Sequence, residues 1–364
     1  MESEVFFADV NVGPDFSRLA VLKKLIEKSG LDKIDMEKKF VAIKMHFGEY
    51  GNLTYIRHNY VKVLTDYIKS KGGVPFLTDC STLYVGSRKN AIEHMDTAMG
   101  NGFLPYTTGC QLIIADGLKG NDDVSVPING EYVSEAKIGR AVYDADVIIS
   151  LSHFKCHEMA GMGGAIKNLG MGCASKRGKM EQHSASRPKV LPAACKGCHI
   201  CLDHCASEAI SFKDGKAFID DSLCVGCGMC IGACRFDAIR ANQDCAVDIM
   251  SRKMAEYAAA SVLNKPNFHI SMITEVSPHC DCHGGNGIAV VPDVGFFASF
   301  DPVALDMACV DAVNSQPIMK GSLSDNSIDG DVFHKAHDNT DWRVGLEHAE
   351  KIGLGIRSYK LVKV

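Results

Sequence analysis

The feature that most constrains this 364-residue chain is one cysteine spacing used twice. CKGCHICLDHC supplies Cys195, Cys198, Cys201 and Cys205, and CVGCGMCIGAC supplies Cys224, Cys227, Cys230 and Cys234. Three cysteines with two residues between neighbours wrap a tight loop whose thiolates take three irons of one cubane, while backbone N–H groups point at the sulfurs. The fourth cysteine of each run is too far round to close the same cube and ligates the other one. The spacing therefore predicts two [4Fe–4S] clusters: one on Cys195, Cys198, Cys201 and Cys234, the other on Cys224, Cys227, Cys230 and Cys205. Paired C-x-x-C knuckles also hold zinc in four-cysteine sites, but a third cysteine at the same interval in both runs is surplus to such a site. One cluster would suffice as a staple, whereas two neighbouring clusters make a wire.

The remaining cysteines bear on compartment. Eight of the chain's 16 cysteines fall between Cys195 and Cys234, which is clustering for chemistry rather than for stapling a whole fold. The N-terminal MESEVFF has neither the basic start nor the apolar run of a signal peptide, and no segment approaches the length of a membrane span. A reducing cytoplasm is the expected location. Net charge is −5 with no basic block, so neither nucleic acid nor a membrane surface is expected as a partner.

Apolar runs that read as buried strands recur at residues 4–10, 40–45, 75–78, 111–115 and 146–151, with amphipathic helical patterns at 16–28 and 55–71, the second stopped by Gly72-Gly73. Past the cysteine runs come a helix at about 244–265, strand-like runs at 268–274, 287–291 and 295–299, and an Asp301-Pro302 helix start. This alternation predicts an α/β fold with a mainly parallel sheet, arranged in one body or in two lobes. Residues 1–187 and 243–364 are expected to form that body, and 188–242 an inserted α+β dicluster module. Within the insert, 209–212 and 217–219 around Lys213-Asp214-Gly215-Lys216 read as a hairpin. Six acidic and six basic residues make the insert neutral, unlike a freely docking acidic carrier, so it is expected to exchange electrons with its own body.

The body's candidate site begins where the 146–151 strand ends, because ligands in open α/β sheets sit beyond the carboxyl ends of strands. If strand geometry persists, His153, Lys155 and His157 point one way and Phe154 and Cys156 the other. Gly161, Gly163, Gly164, Gly170 and Gly172 would let a ligand approach the backbone, and Lys155, Lys167, Lys176, Arg177 and Lys179 would attract an anion. Lys155, His157, Lys167 and Asn168 are the expected catalytic residues, and His153, Gly163, Gly164 and His183 the expected contacts to a bound cofactor. In HCDCHGG, alternation would set Cys280 and Cys282 on one face and His279, Asp281 and His283 on the other, with the two thiols as further metal ligands. Cys80, Cys110, Cys173, Cys245, Cys309 and Trp342 read as packing residues.

Residues 193–242 resemble the bacterial dicluster ferredoxins, although the proline that usually follows each fourth cysteine is replaced by Ala206 and Arg235. HFKCHEMAGMGGAIKNLGMG, HCDCHGG and GFFASFDPVALDMACVDAV together resemble the iron–sulfur centre proteins of the domain-of-unknown-function family three-sixty-two, with Cys156 where that family would have Gly. His153, Phe154, Gly164 and Lys167 also match a His-Phe, glycine pair and lysine of the lactate racemase family, whose lysine anchors a nickel-pincer nucleotide. That resemblance implies a shared fold and pocket position. The chain is accordingly expected to be an oxidoreductase relaying electrons to a small-molecule or metal site in its body, with a redox partner protein or an anionic small molecule as partner. Its rivals are a racemase or epimerase-like enzyme with structural or sensory clusters, and a non-enzymatic electron carrier or accessory protein.

Overall fold

The structure is a computed structural model that describes the whole chain apart from residues 1, 12, 14–15, 184–186, 206, 225, 227, 242–244 and 324–329. Eight strands form one sheet in the order Tyr359–Lys363, Ser3–Asp9, Gly295–Ser299, Asn267–Ile273, Val147–His153, Phe40–Lys44, Val74–Asp79, Gln111–Ile114. Only Gly295–Ser299 runs against its neighbours, and the remaining pairings are parallel. The body is thus the mainly parallel α/β arrangement that the strand and helix alternation predicts, and its single sheet takes strands from both sides of the cysteine-rich segment. Val147–His153 lies at the centre and is buried throughout. Its side chains alternate between two cores: Ile148 joins one apolar cluster, while Val147, Ile149 and Leu151 join that on the opposite face.

Local signals explain the helix boundaries. Asp301 accepts from Val303 N and Ala304 N, with Pro302 as the first residue of the helix Pro302–Asn314. The helix His58–Ser70 ends in a paired 6→1 and 5→2 bonding pattern, Gly73 N to Ile68 O and Gly72 N to Lys69 O, which needs the positive φ of Gly72. The run at 287–291 is not a strand. Val290 N donates to Val276 O and Val290 O accepts from Met319 N, so this run, buried only at Val290 and Val291, bridges two loops without a ladder. The sequence reading also passed over the hairpin Asp123–Pro127 with Glu135–Gly139, and the edge strand Tyr359–Lys363.

In the cysteine-rich region, Ile210–Lys213 and Lys216–Ile219 pair across Asp214 and Gly215, both at positive φ, as a two-residue primed turn requires. Lys189–Val190 pairs antiparallel with Ile239–Arg240, so the segment leaves and rejoins the body at adjacent points. The proposed boundary at Asn242, the start of the 244–265 helical run and Ala206 lie outside the described residues. The observed helix is Val247–Val262.

Candidate functional site

Beyond the carboxyl ends of Phe40–Lys44, Val74–Asp79 and Val147–His153 lies a cavity of about 530 Å³. Lys44 and Asp79, the last residues of two neighbouring strands, pair at 3.0 Å in a buried setting. Asn168 fastens this corner. Its Oδ1 accepts from Lys44 Nζ at 2.8 Å, while Nδ2 donates to Lys44 O at 2.9 Å and to Ser152 Oγ at 3.0 Å. Arg88 reaches Asp79 at 3.6 Å and Glu49 at 3.1 Å. Burial alone would raise the Asp79 carboxyl, but Lys44 and the neighbouring histidines and arginine outweigh it and hold that group well below the usual carboxylate range.

Past His153 the chain continues as a small hairpin, Lys155–His157 with Gly161–Gly163. The period of two persists through the turn-off. His153, Lys155 and His157 line the cavity, whereas Phe154 and Cys156 are packed in the apolar core. The Cys156 thiol therefore faces away from the site, and burial pushes it up to about 12. Asp281 arrives from the far segment and accepts from His153 Nδ1 at 2.8 Å, Lys155 Nζ at 3.0 Å and Thr54 Oγ1 at 3.1 Å. The other nitrogen of His153 meets Thr274 O at 2.9 Å, so the ring is held at both ends.

The HCDCHGG segment is a turn, closed by His283 N donating to Cys280 O, and not the extended strand that alternation suggests. The turn sends Asp281 one way and gathers Cys280, Cys282 and His283 toward Glu158. Ligand atoms of His157, Cys280 and Cys282 lie within 4.8 Å of one another, as do those of Glu158, Cys282 and His283. Lys167 Nζ is 3.4 Å from Cys280 Sγ.

The helix Ala165–Gly170 carries Lys167 and Asn168, and Asp306 caps it by accepting from Ala165 N at 2.7 Å and Ile166 N at 2.9 Å. A Cβ on Gly164 would come 2.3 Å from Asp306 Oδ1, and one on Gly170 would come 2.0 Å from Met254 O. These two glycines admit neighbouring protein atoms, a role that composition does not separate from ligand approach. Gly163, Gly164 and Gly172 all line the cavity. The helix Lys176–His183 adds Lys179 and His183 to the wall, and His183 Nδ1 is buried with no hydrogen-bond partner among the described residues. Arg177 pairs instead with Asp123 at 3.2 Å. Lys167 and Lys179 make no ion pair with a carboxylate among the described residues, whereas Lys44, Arg88 and Lys155 all do.

Sequence reasoning missed Lys44, His46, Glu49, Asp79 and Arg88. The strand-end rule that located His153 would have reached Lys44, His46 and Asp79 had it been applied to the 40–45 and 75–78 runs as well.

In the cysteine-rich region, Cys195, Cys198, Cys201 and Cys234 line one small cavity, and Cys205, Cys224 and Cys230 line another. Cys227 lies outside the described residues. Backbone N–H groups approach the sulfurs: Ala217 N is 3.4 Å from Cys195 Sγ, and Ala209 N and Ala238 N are each 3.3 Å from Cys205 Sγ and Cys234 Sγ, respectively. The second run's loop rests on the body, since a Cβ at Gly228 would lie 3.2 Å from Met180 Cβ on the helix Lys176–His183. An ion pair from Lys89 to Asp237 at 2.9 Å adds a second attachment. Cys80, Cys110, Cys173, Cys245, Cys309 and Trp342 are all buried.

A family model described as Domain of unknown function (DUF362) matches residues 41–311. No curated protein matches the chain. Among solved structures, the lactate racemase apoprotein from Thermoanaerobacterium thermosaccharolyticum is similar at 12% identity and a TM-score of 0.41, over 75% of this chain and 51% of that one. A Thermotoga maritima protein is similar at 11% identity and a TM-score of 0.38, over 93% of this chain and 60% of that one. The chain thus spans about half the length of the first and three-fifths of the second. No helix among the described residues is long and apolar enough to cross a membrane.

Proposed function

The chain belongs to the DUF362 family, and from that premise we propose that it is an iron–sulfur oxidoreductase whose residues 188–242 hold two [4Fe–4S] clusters beside a substrate cavity in the α/β body. The observation that carries this reading is the crosswise sharing of cysteines, with Cys234 beside the first run and Cys205 beside the second. Crosswise sharing is what two cubanes on this spacing require and what a pair of separate zinc knuckles does not. Backbone N–H groups aimed at Cys195, Cys205 and Cys234 suit thiolate sulfurs, whose negative charge they stabilise. When bound, such clusters supply single electrons.

The chain's own residues divide the remaining work. Lys167 and Lys179, which make no ion pair with a carboxylate among the described residues, receive an anionic small molecule. Lys155 and His153 are oriented by Asp281, and His157 stands beside Cys280. Asn168 spends its amide on Lys44 and Ser152 and is a positioning residue. The helix Lys176–His183 touches the second run's loop on one side and offers Lys179 and His183 to the cavity on the other, so the two sites share one structural element.

Anaerobically purified protein is expected to contain about eight iron and eight acid-labile sulfide per chain. Zinc in place of iron, or four irons only, would overturn the assignment. A 188–242 fragment that by itself supports the full activity would instead make the protein a simple carrier.

A further inference from the structure

The turn at residues 280–283 gathers more donors than a small-molecule pocket requires. Cys282 belongs to two groups of metal-capable side chains, one with His157 and Cys280, the other with Glu158 and His283. The two groups cannot both be complete ligand sets, and hydrogen bonding separates them. His157 Nδ1 accepts from Met159 N at 3.0 Å and from Ala160 N at 3.1 Å, so its lone pair is spent and the ring proton sits on Nε2. A nitrogen that carries the proton donates to a neighbouring sulfur and does not ligate a metal. His283 Nε2 also carries a proton in its contact with the Glu158 carboxylate, but its Nδ1 has no hydrogen bond among the described residues, so the proton can move there and leave Nε2 free to ligate. Its Nε2 lies 2.9 Å from Glu158 Oε1, near the roughly 3.3 Å that separates two nitrogen or oxygen donors on one tetrahedral zinc. Cys282 Sγ lies 3.9 Å from the same oxygen, and Cys280 N donates to the other carboxylate oxygen at 3.4 Å, which fixes its orientation.

We infer that Glu158, Cys282 and His283, whose ligand atoms lie within 4.8 Å of one another, form with the Cys280 thiol beside Cys282 a mononuclear site for a divalent d-block cation at the rim of the cavity, with His157 and Lys167 as outer donors to the Cys280 sulfur. Two thiolates, an imidazole and a carboxylate suit an ion of zinc's borderline softness, whereas calcium and magnesium take oxygen ligands. Three negative ligands around a dication leave one excess negative charge, which Lys167, 3.4 Å from Cys280 Sγ, offsets. His283 is half exposed, which gives the ion a way in from solvent. Glu158 follows the Lys155–His157 strand, so the ion ties that hairpin to the turn. Asp281 sits between two of the ligands, and an ion there fixes the carboxylate that orients His153 and Lys155. The inference deepens the reading of this cavity as a small-molecule or metal site and does not depend on the clusters.

The test is anaerobic zinc titration of the full chain with its iron loaded, read by zinc and iron content and by X-ray absorption at the zinc edge. One zinc per chain is expected, with two sulfur neighbours at about 2.3 Å and two nitrogen or oxygen neighbours at about 2.0–2.2 Å. Cys282→Ser and His283→Gln should each weaken zinc binding beyond the roughly 10–100-fold that loss of an outer partner costs. His157→Gln should stay within that range and keep the two-sulfur spectrum. Iron content should be the same in all of these proteins. It reports on the cluster assignment alone, so failure of one reading is distinguishable from failure of the other. Zinc absent from the wild type, zinc retained by Cys282→Ser, or a Cys280–Cys282 disulfide in its place would overturn the inference. Loss on His157→Gln with none on His283→Gln would overturn the ligand set.

Discussion

Asp281 and Lys155 face each other at 3.0 Å across a boundary between two distant segments, and neither side chain has appreciable contact with solvent. Burial acts against ionisation of Asp281, but His153 and Lys155 outweigh it and hold the group far below the usual carboxylate range. Removing one member of such a pair strands the other charge in a poorly solvated place. Asp281→Asn is therefore expected to cost about 3–5 kcal/mol of stability. Adding Lys155→Met should recover most of that loss, measured by denaturant unfolding of both variants under anaerobic conditions. A double variant no more stable than the single one would show that the ion pair is not what the site depends on.

The crosswise sharing of cysteines gives a spectroscopic expectation. Cys205→Ala should alter the cluster proposed on Cys224, Cys227 and Cys230, and Cys234→Ala the one proposed on Cys195, Cys198 and Cys201. Electron paramagnetic resonance of the reduced protein should then group Cys205→Ala with Cys224→Ala and set it apart from Cys198→Ala. The reverse grouping would refute the shared arrangement.

Asp306 supplies a pH dependence of definite sign. Burial pushes its carboxyl up to about 7, against two backbone N–H bonds that act the other way. The folded state keeps this proton at pH values where the unfolded chain, near the ordinary value of 3.8, has lost it. This group's contribution to stability therefore falls as pH rises from about 4 to about 7 and is flat above that. Relative to Asp306→Asn, the wild type should lose on the order of 1–2 kcal/mol between about pH 5.5 and pH 7. Paired thermal melts across that window would reveal it, and a gap that is constant or widens in favour of the wild type would mean that the carboxylate stays ionised as a helix cap.

What could be read in the sequence follows the range of the forces involved. The Asp301-Pro302 start, the Gly72 stop and the Asp214-Gly215 turn are set by backbone bonds within a few residues, and each appears where its signal stands. His153, Lys155 and His157 share a wall because the period of two holds locally. Asp281 with His153, and Lys44 with Asn168, are pairings across 128 and 124 residues that depend on which strands become neighbours. No local periodicity encodes that order. The lysines show the same limit, since composition counts Lys155, Lys167 and Arg177 alike, whereas the fold gives Lys155 and Arg177 to carboxylates and leaves Lys167 beside a sulfur.

The two-rung ladder between Lys189–Val190 and Ile239–Arg240 has a consequence for the chain as a circuit diagram. Entry and exit of the cysteine-rich loop sit side by side, so the excursion behaves as a plug-in unit with a single socket. None of the eight strands of the main sheet comes from within it, and a short bridge across the socket would leave every strand neighbour in place. The segment could be removed, shortened or exchanged for another while the cavity's walls kept their addresses. The exceptions are the face of Lys176–His183 where Met180 meets Gly228 and the ion pair from Lys89 to Asp237, and those contacts are where any exchanged unit would have to be refitted.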